Sequence, residues 1–135
     1  MKHYVMRYRL LLIIWIFACG LLVSPAARAQ TDKRMVRLAK IQVDPAQLEQ
    51  YNAALKEQMQ AAIRLEAGVL SYVAVADKKD PSSITILEIY ADSSAYRSHI
   101  ETEHFRKYKA TVQNMVQKLE LVDVTMIGSV KKPDQ

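Results

Sequence analysis

The stretch from Val69 to Ala91 constrains this chain most. Two runs rich in β-branched and aromatic residues, VLSYVAVAD (69–77) and SITILEIYA (83–91), are joined by KKDPS, with Asp80-Pro81 at its centre. Short strands around a turn of that composition make a β-hairpin. An antiparallel sheet with one wet face alternates apolar and polar residues. These strands do not. Val69, Val73 and Val75 alternate with Leu70, Tyr72 and Ala74, and Ile84 and Ile86 with Leu87 and Ile89. Both faces of the sheet need cover. Helices of the same chain supply one cover, and a second copy related by a twofold axis is the simplest source of the other.

The flanking sequence supplies the rest of the sheet and the helices. Met35–Val43 (MVRLAKIQV) reads as a strand. Asp44 is a helix cap, Pro45 suits the first helical position, and Gln47 stands where it can complete a capping box. Leu48, Tyr51, Leu55, Met59 and Ala62 then recur at spacings of three and four, which predicts an amphipathic helix to about Leu65. Gly68 follows as its C-terminal stop. After the hairpin, Asp92 caps a short helix carrying Ala95, Tyr96, His99 and Ile100. Thr102 caps another, with Phe105, Tyr108, Val112, Met115, Val116 and Leu119 on one face. Glu120–Val130 reads as the last strand. The order β-α-β-β-α-β, with the second helical part broken in two, is the ferredoxin-like split-βαβ pattern. It predicts an α+β fold: a four-stranded antiparallel sheet with helices on one face.

Ahead of this domain lies a segment of another kind. MKHYVMRYR is basic, Leu10–Val23 is uninterrupted by charge, and Ala27 and Ala29 form an A-x-A site. Those are the three parts of a secretory signal. The apolar run is shorter than the roughly 20 residues that span a bilayer. We therefore expect a cleavable signal at 1–29, a lead-in at 30–34, the domain at 35–130 and a polar tail at 131–135. The protein is then exported to the periplasm, with no stable membrane insertion after cleavage. The alternative is a membrane tether through an uncleaved N-terminus. A lipoprotein reading would use Cys19, but Phe17 fits such a site poorly. Four of the nineteen basic residues and none of the fourteen acids lie in the signal, so the mature chain is nearly neutral. A nucleic-acid partner is not expected, since that needs a clustered basic surface. Cys19 is the only cysteine and leaves with the signal, so packing alone must hold the domain together.

Three segments carry a resemblance. Glu66-Ala67-Gly68-Val69-Leu70-Ser71-Tyr72 resembles the E-P-G-x-L-x-Y signature of the antibiotic biosynthesis monooxygenase family, with Ala67 in place of the usual Pro. Glu88-Ile89-Tyr90-Ala91-Asp92, followed by Ala95-Tyr96 and His99, resembles that family's E-x-Y-x-D and A-[FY]-x-x-H segment. Thr102-Glu103-His104-Phe105 with Tyr108 continues it. The resemblance covers about Met35 to Gly128. It implies a dimer formed through the sheets into a barrel-like body, with a pocket between sheet and helices in each subunit. It also implies activities that range from cofactor-independent oxidation of quinols and aromatic polyketides to haem degradation.

His99 and His104 are the only histidines outside the signal. Histidine is a general acid or base near neutral pH, and a quinol oxidised without a cofactor must first lose a proton. His99 falls where the family places its helix histidine, so it is the preferred base, with His104 in reserve. Glu88 and Tyr90 share a strand face with Ile84 and Ile86, where a buried carboxylate would orient a histidine or a substrate hydroxyl. A salt bridge from Glu88 to Arg64 or Arg97 is the plainer alternative. Tyr51, Tyr72, Tyr90, Tyr96 and Tyr108 are candidates to line a pocket for a flat aromatic ligand. Tyr51 and Tyr108 also sit at core spacing.

No dedicated metal site is expected. His99 and His104 are five apart across a helix break, whereas ligands on one helix stand three or four apart. Haem degradation is disfavoured, because the positions its chemistry relies on hold Arg37, His99 and Lys109 here in place of Asn, Trp and His. Neither a glycine-rich phosphate loop nor a G-x-S-x-G elbow is present. The resulting expectation is a homodimeric monooxygenase that acts on a small quinol or related aromatic with O2 and needs no cofactor. A non-enzymatic ligand-binding module of the same fold is the alternative.

Overall fold

The computed structural model of the chain describes residues 32–132. The expected signal, residues 1–29, lies outside the described residues. Among those described, no helix is long and apolar enough to cross a membrane.

Strand β1 (Met35–Val43) leads through a single 3₁₀ turn (Pro45–Gln47) into helix α1 (Leu48–Leu65). Asp44 caps the turn by accepting the Ala46 N–H at 3.0 Å. Gln47 does not close a capping box. Its side-chain amide donates to Asp44 Oδ2, because the Asp44 N–H it would have captured already donates to the Met115 carbonyl. Helix α1 buries Tyr51, Leu55, Gln58 and Ala62 along one face.

The hairpin follows as β2 (Val69–Ala76) and β3 (Ser83–Tyr90), then helices α2 (Ser93–His99) and α3 (Glu103–Val112), then strand β4 (Val116–Val124). Asp92 and Thr102 cap the two short helices as expected, accepting the N–H groups of Ala95 and Phe105. The strands form one antiparallel sheet in the order β2-β3-β1-β4, the ferredoxin-like arrangement.

Three local expectations are corrected. Gly68 does not stop α1 through a left-handed conformation, since no described residue has a positive φ. Its role is spatial: a Cβ at Gly68 would lie 2.6 Å from the Ala95 Cβ, so the glycine lets α2 seat against the start of β2. Strand β4 begins at Val116 rather than Glu120 and ends at Val124 rather than Val130. Met115, Val116 and Leu119 continue the helical spacing of α3, yet the helix ends at Val112, where the Met115 N–H folds back onto the Val112 carbonyl. Finally, Val69 does not share a face with Val73 and Val75. An irregularity between Val69 and Ser71 turns Val69 to the helix side, where it packs with Ala62 and Tyr90.

The core lies between sheet and helices and includes Ala39, Ile41 and Val43 of β1, Tyr51 and Leu55 of α1, Ile84 and Ile86 of β3, and Val112. The opposite face carries an apolar register row across all four strands: Val73, Leu87, Leu38 and Val122. Val73 is 48% exposed and its neighbour Val75 58%.

Candidate active site

A cavity of about 400 Å³ opens between the sheet and the helices. Sheet residues form its floor, and strand register orders them in rows that extend past the cavity. One row is polar: Tyr72, Glu88, Arg37 and Asp123 stand side by side across β2, β3, β1 and β4. The next is apolar: Ala74, Ile86, Ala39 and Leu121. Leu55 and Met59 of α1, Tyr96 and His99 of α2, and Phe105, Tyr108 and Lys109 of α3 complete the walls. The site is thus an aromatic and aliphatic chamber with its polar groups concentrated at one end.

That end is a continuous hydrogen-bonded chain. The His104 Nε2 lies 2.7 Å from Glu66 Oε1, and the same oxygen lies 2.9 Å from His99 Nδ1. The His99 Nε2 lies 2.7 Å from the Tyr72 hydroxyl, which lies 2.9 Å from the Tyr90 hydroxyl. The Tyr90 hydroxyl donates to Glu88 Oε2 at 3.0 Å. Both nitrogens of His99 are therefore engaged within the protein, and its side chain is only 1% exposed. His99 lines the cavity with both nitrogens occupied, and Glu88 is the ionisable group at the other end of the chain.

The environment perturbs these groups in opposite directions. Burial lowers the affinity of His99 for a proton, and the hydrogen bond and charge of Glu66 partly restore it. Burial raises Glu88 above the ordinary carboxylate range, against the hydrogen bond from Tyr90 and the charge of Arg37. Burial also pushes the Tyr72, Tyr90 and Tyr108 hydroxyls up, so they serve as neutral donors and acceptors.

Of the residues expected to form a site, His99, Glu88, Tyr90, Tyr72 and Tyr108 all line this cavity. His104 stands one hydrogen bond behind, on Glu66, and lines a separate cavity between α1 and α3. Neither Arg64 nor Arg97 salt-bridges Glu88; its neighbour is Arg37, directly across the strand register. Tyr108 does double duty, packing on the core and bonding through its hydroxyl to Tyr51 at 2.9 Å. Arg37, the residue that departs from the haem-degrading pattern, is a floor residue. Its Nε donates to Asp123 Oδ1 at 2.7 Å and its guanidinium stacks 4.3 Å from the Tyr96 ring centroid.

Glu66, in the segment that carries the resemblance, joins both histidines and is absent from the residues expected at the site. A usable signal existed: a carboxylate at the C-terminal end of a helix opposes the helix dipole, and such local conflicts concentrate at functional sites. The break between α2 and α3, where the Thr102 N–H and hydroxyl both donate to the His99 carbonyl, turns His104 back toward His99. That turn brings together two histidines that stand five apart across a helix break. The donor atoms of Glu66, His99 and His104 all lie within 4.8 Å of one another. Their contacts at 2.7 and 2.9 Å are hydrogen-bond lengths. Ligands held about 2.0–2.1 Å from a tetrahedral zinc ion would stand farther apart, at about 3.3 Å.

Comparison with known proteins decides the family. The pattern of the family described as "Antibiotic biosynthesis monooxygenase" matches residues 34–111, more than half of the chain. The chain belongs to the antibiotic biosynthesis monooxygenase family. A solved structure from Bacteroides thetaiotaomicron, described as a candidate antibiotic biosynthesis monooxygenase, is 53% identical. The match covers 76% of this chain and 97% of that one, with a TM-score of 0.71. A candidate monooxygenase from Lactobacillus acidophilus is 26% identical over 70% of this chain and 45% of that one, at a TM-score of 0.69. A candidate family protein from Nitrosomonas europaea shares the fold at 20% identity, covering 71% of this chain and 92% of that one at a TM-score of 0.67. No curated protein matches. Glu66, Tyr72, Glu88, Tyr90, His99 and His104 all fall within the part of this family member that the pattern covers.

Proposed function

We propose that this antibiotic biosynthesis monooxygenase family member oxidises a small quinol or related hydroxylated aromatic with O2, without a cofactor, inside the large cavity. The observation that carries the reading is the composition of the cavity. Tyr72, Tyr90, Tyr96, Phe105 and Tyr108 make walls suited to a flat ring, and Glu88, which burial makes a stronger base than an ordinary carboxylate, stands among them. Glu88 takes the hydroxyl proton, assisted by His99 through Tyr72 and Tyr90. The resulting anion is electron-rich enough to pass one electron to O2. Recombination joins oxygen to a ring carbon. Loss of the ring hydrogen and cleavage of the O–O bond then give one water and, from a quinol, a hydroxyquinone, so that one oxygen atom enters the ring and the other leaves as water.

Two further features complete the proposal. The apolar row Val73, Leu87, Leu38 and Val122 on the outer sheet face supports a homodimer packed sheet to sheet, since a soluble chain rarely leaves such a face uncovered. The basic, apolar and small-residue pattern of residues 1–29 supports export to the periplasm.

The test is oxygen consumption by residues 30–135 with a panel of reduced quinols. Saturable uptake above autoxidation, reduced about 10²-fold or more in Glu88→Gln, is the expected result. Tight binding of quinols with no oxygen uptake would replace the enzyme with a binding module of the same fold.

A further inference from the structure

The chain Glu66–His99–Tyr72–Tyr90–Glu88 has four contacts, each between 2.7 and 3.0 Å. Each contact at that length needs one hydrogen between its two heavy atoms. A neutral imidazole and two tyrosine hydroxyls supply three. With both carboxylates ionised, one of the four contacts would press two bare lone pairs together in a buried place. The geometry is satisfied only when the chain holds a fourth proton.

That proton has two resting places among the groups that line the cavity. On His99 it makes an imidazolium that donates to Glu66 and Tyr72; Tyr72 then donates to Tyr90 and Tyr90 to Glu88. On Glu88 every bond on the cavity side reverses: Glu88 donates to Tyr90, Tyr90 to Tyr72, and Tyr72 to His99 Nε2. Burial lowers His99 and raises Glu88, which narrows the ordinary gap between an imidazole and a carboxylate. Arg37 from β1 and the buried hydroxyls of Tyr51 and Tyr108 from α1 and α3 share the field of Glu88, and Glu66 and His104 face His99.

The outer end of the chain leads to a second cavity. This space, about 180 Å³ between α1 and α3, is lined by His104, Tyr108, Thr111 and Gln58. Gln58 is buried, and neither atom of its amide has a hydrogen-bond partner among the described residues. A buried amide with an unmet donor and an unmet acceptor beside such a space is the setting in which ordered water is found.

We infer that Glu66, His99, Tyr72, Tyr90 and Glu88 form a proton wire that stores one extra proton and connects the reaction cavity, through His104, to a water-filled inlet at Gln58. Resting on the proposed oxidation, it gives Glu88 both tasks. With the stored proton on His99, the Glu88 oxygen that does not accept from Tyr90 takes the substrate proton and later returns it to the departing water, and all four contacts stay filled. The stored proton itself enters and leaves through Glu66, His104 and water.

The test is nitrogen and carbon NMR of His99 and of the Glu88 carboxyl across pH, with no substrate present, so its outcome is independent of the oxidation itself. The expected result is that the His99 Nε2 and Glu88 carboxyl signals move together in the native protein, at one midpoint. In Tyr72→Phe, which keeps the ring and removes the link, they separate to two midpoints. In Glu88→Gln, whose amide N–H replaces the carboxyl proton, the His99 Nε2 step disappears. Separate midpoints in the native protein, or a His99 step unmoved by Glu88→Gln, would overturn the wire. Gln58→Leu should slow exchange of the His99 ring proton with water by about tenfold, a readout of solvent access. Unchanged exchange in a folded Gln58→Leu protein would overturn the inlet.

Discussion

Glu66 Oε1 sits 2.9 Å from His99 Nδ1, tying the end of α1 to α2 across 33 residues of sequence. The same oxygen lies 2.7 Å from the His104 Nε2. Helix dipoles disfavour a carboxylate at that end, and the two imidazoles compensate for it. Glu66→Ala leaves His99 without its Nδ1 partner in a buried place and should cost about 1–3 kcal/mol in urea unfolding. Glu66→Gln keeps an acceptor oxygen and should recover part of that loss. Equal stability in all three proteins would mean that the triad holds nothing together.

Gly68 and Ala95 make a second pair. The 2.6 Å between a built Cβ at Gly68 and the Ala95 Cβ is too short for two carbon atoms. Gly68→Ala should destabilise by about 1–3 kcal/mol through overpacking. Adding Ala95→Gly removes the clashing carbon and should restore most of the lost midpoint. Failure of that rescue would move the role of Gly68 from space to backbone conformation.

The Tyr51–Tyr108 hydroxyl pair is buried at the Tyr51 end. Tyr108→Phe strands the Tyr51 hydroxyl and should cost about 1–2 kcal/mol, whereas Tyr51→Phe with Tyr108→Phe should be nearer neutral. A double-mutant cycle in thermal unfolding measures the coupling.

His99 carries a signed pH dependence. Its folded affinity for a proton is lowered, chiefly by burial, below the unfolded value of 6.5. The unfolded state therefore binds the proton first as pH falls. The contribution of neutral His99 is complete above that value and is lost as pH drops from it toward the folded one. Glu88 is raised above its unfolded 4.5 and works in the opposite sense. Its contribution is present at low pH and is lost as pH rises through the folded value. The difference in denaturant midpoint between the native protein and His99→Gln isolates the histidine part, and it should shrink as pH falls below 6.5.

On the outer sheet face, Val73 faces Leu87 across the strand register, and Leu87 faces Leu38. If a second copy covers this row, Val73→Lys buries a charge at the interface. It should shift the protein from dimer to monomer in analytical ultracentrifugation without unfolding it. A monomeric native protein would end the dimer proposal.

Much was legible in the chain because local rules and global fold agree. Asp44, Asp92 and Thr102 cap where their side chains predict. The β-branched and aromatic runs of β1, β2 and β3 and the three-and-four spacing of α1 set the element order and hence the ferredoxin-like sheet. Strand register was then enough to place Tyr72 beside Glu88 and Glu88 beside Arg37. What sequence spacing could not decide was convergence between elements. Helical spacing ran past Val112 into β4 because periodicity does not record which backbone N–H groups find partners outside the helix. The meeting of His99 and His104 on one carboxylate was not legible, because a helix break is readable whereas the direction the chain takes after it depends on packing. Glu66 meets the two histidines only because the fold brings the end of α1 against α2 and α3. The residue types and their order belong to the sequence, but the hydrogen-bonded chain that joins them is a product of tertiary closure. Contacts between side chains far apart in sequence depend on how whole elements pack, and no local pattern encodes that distance.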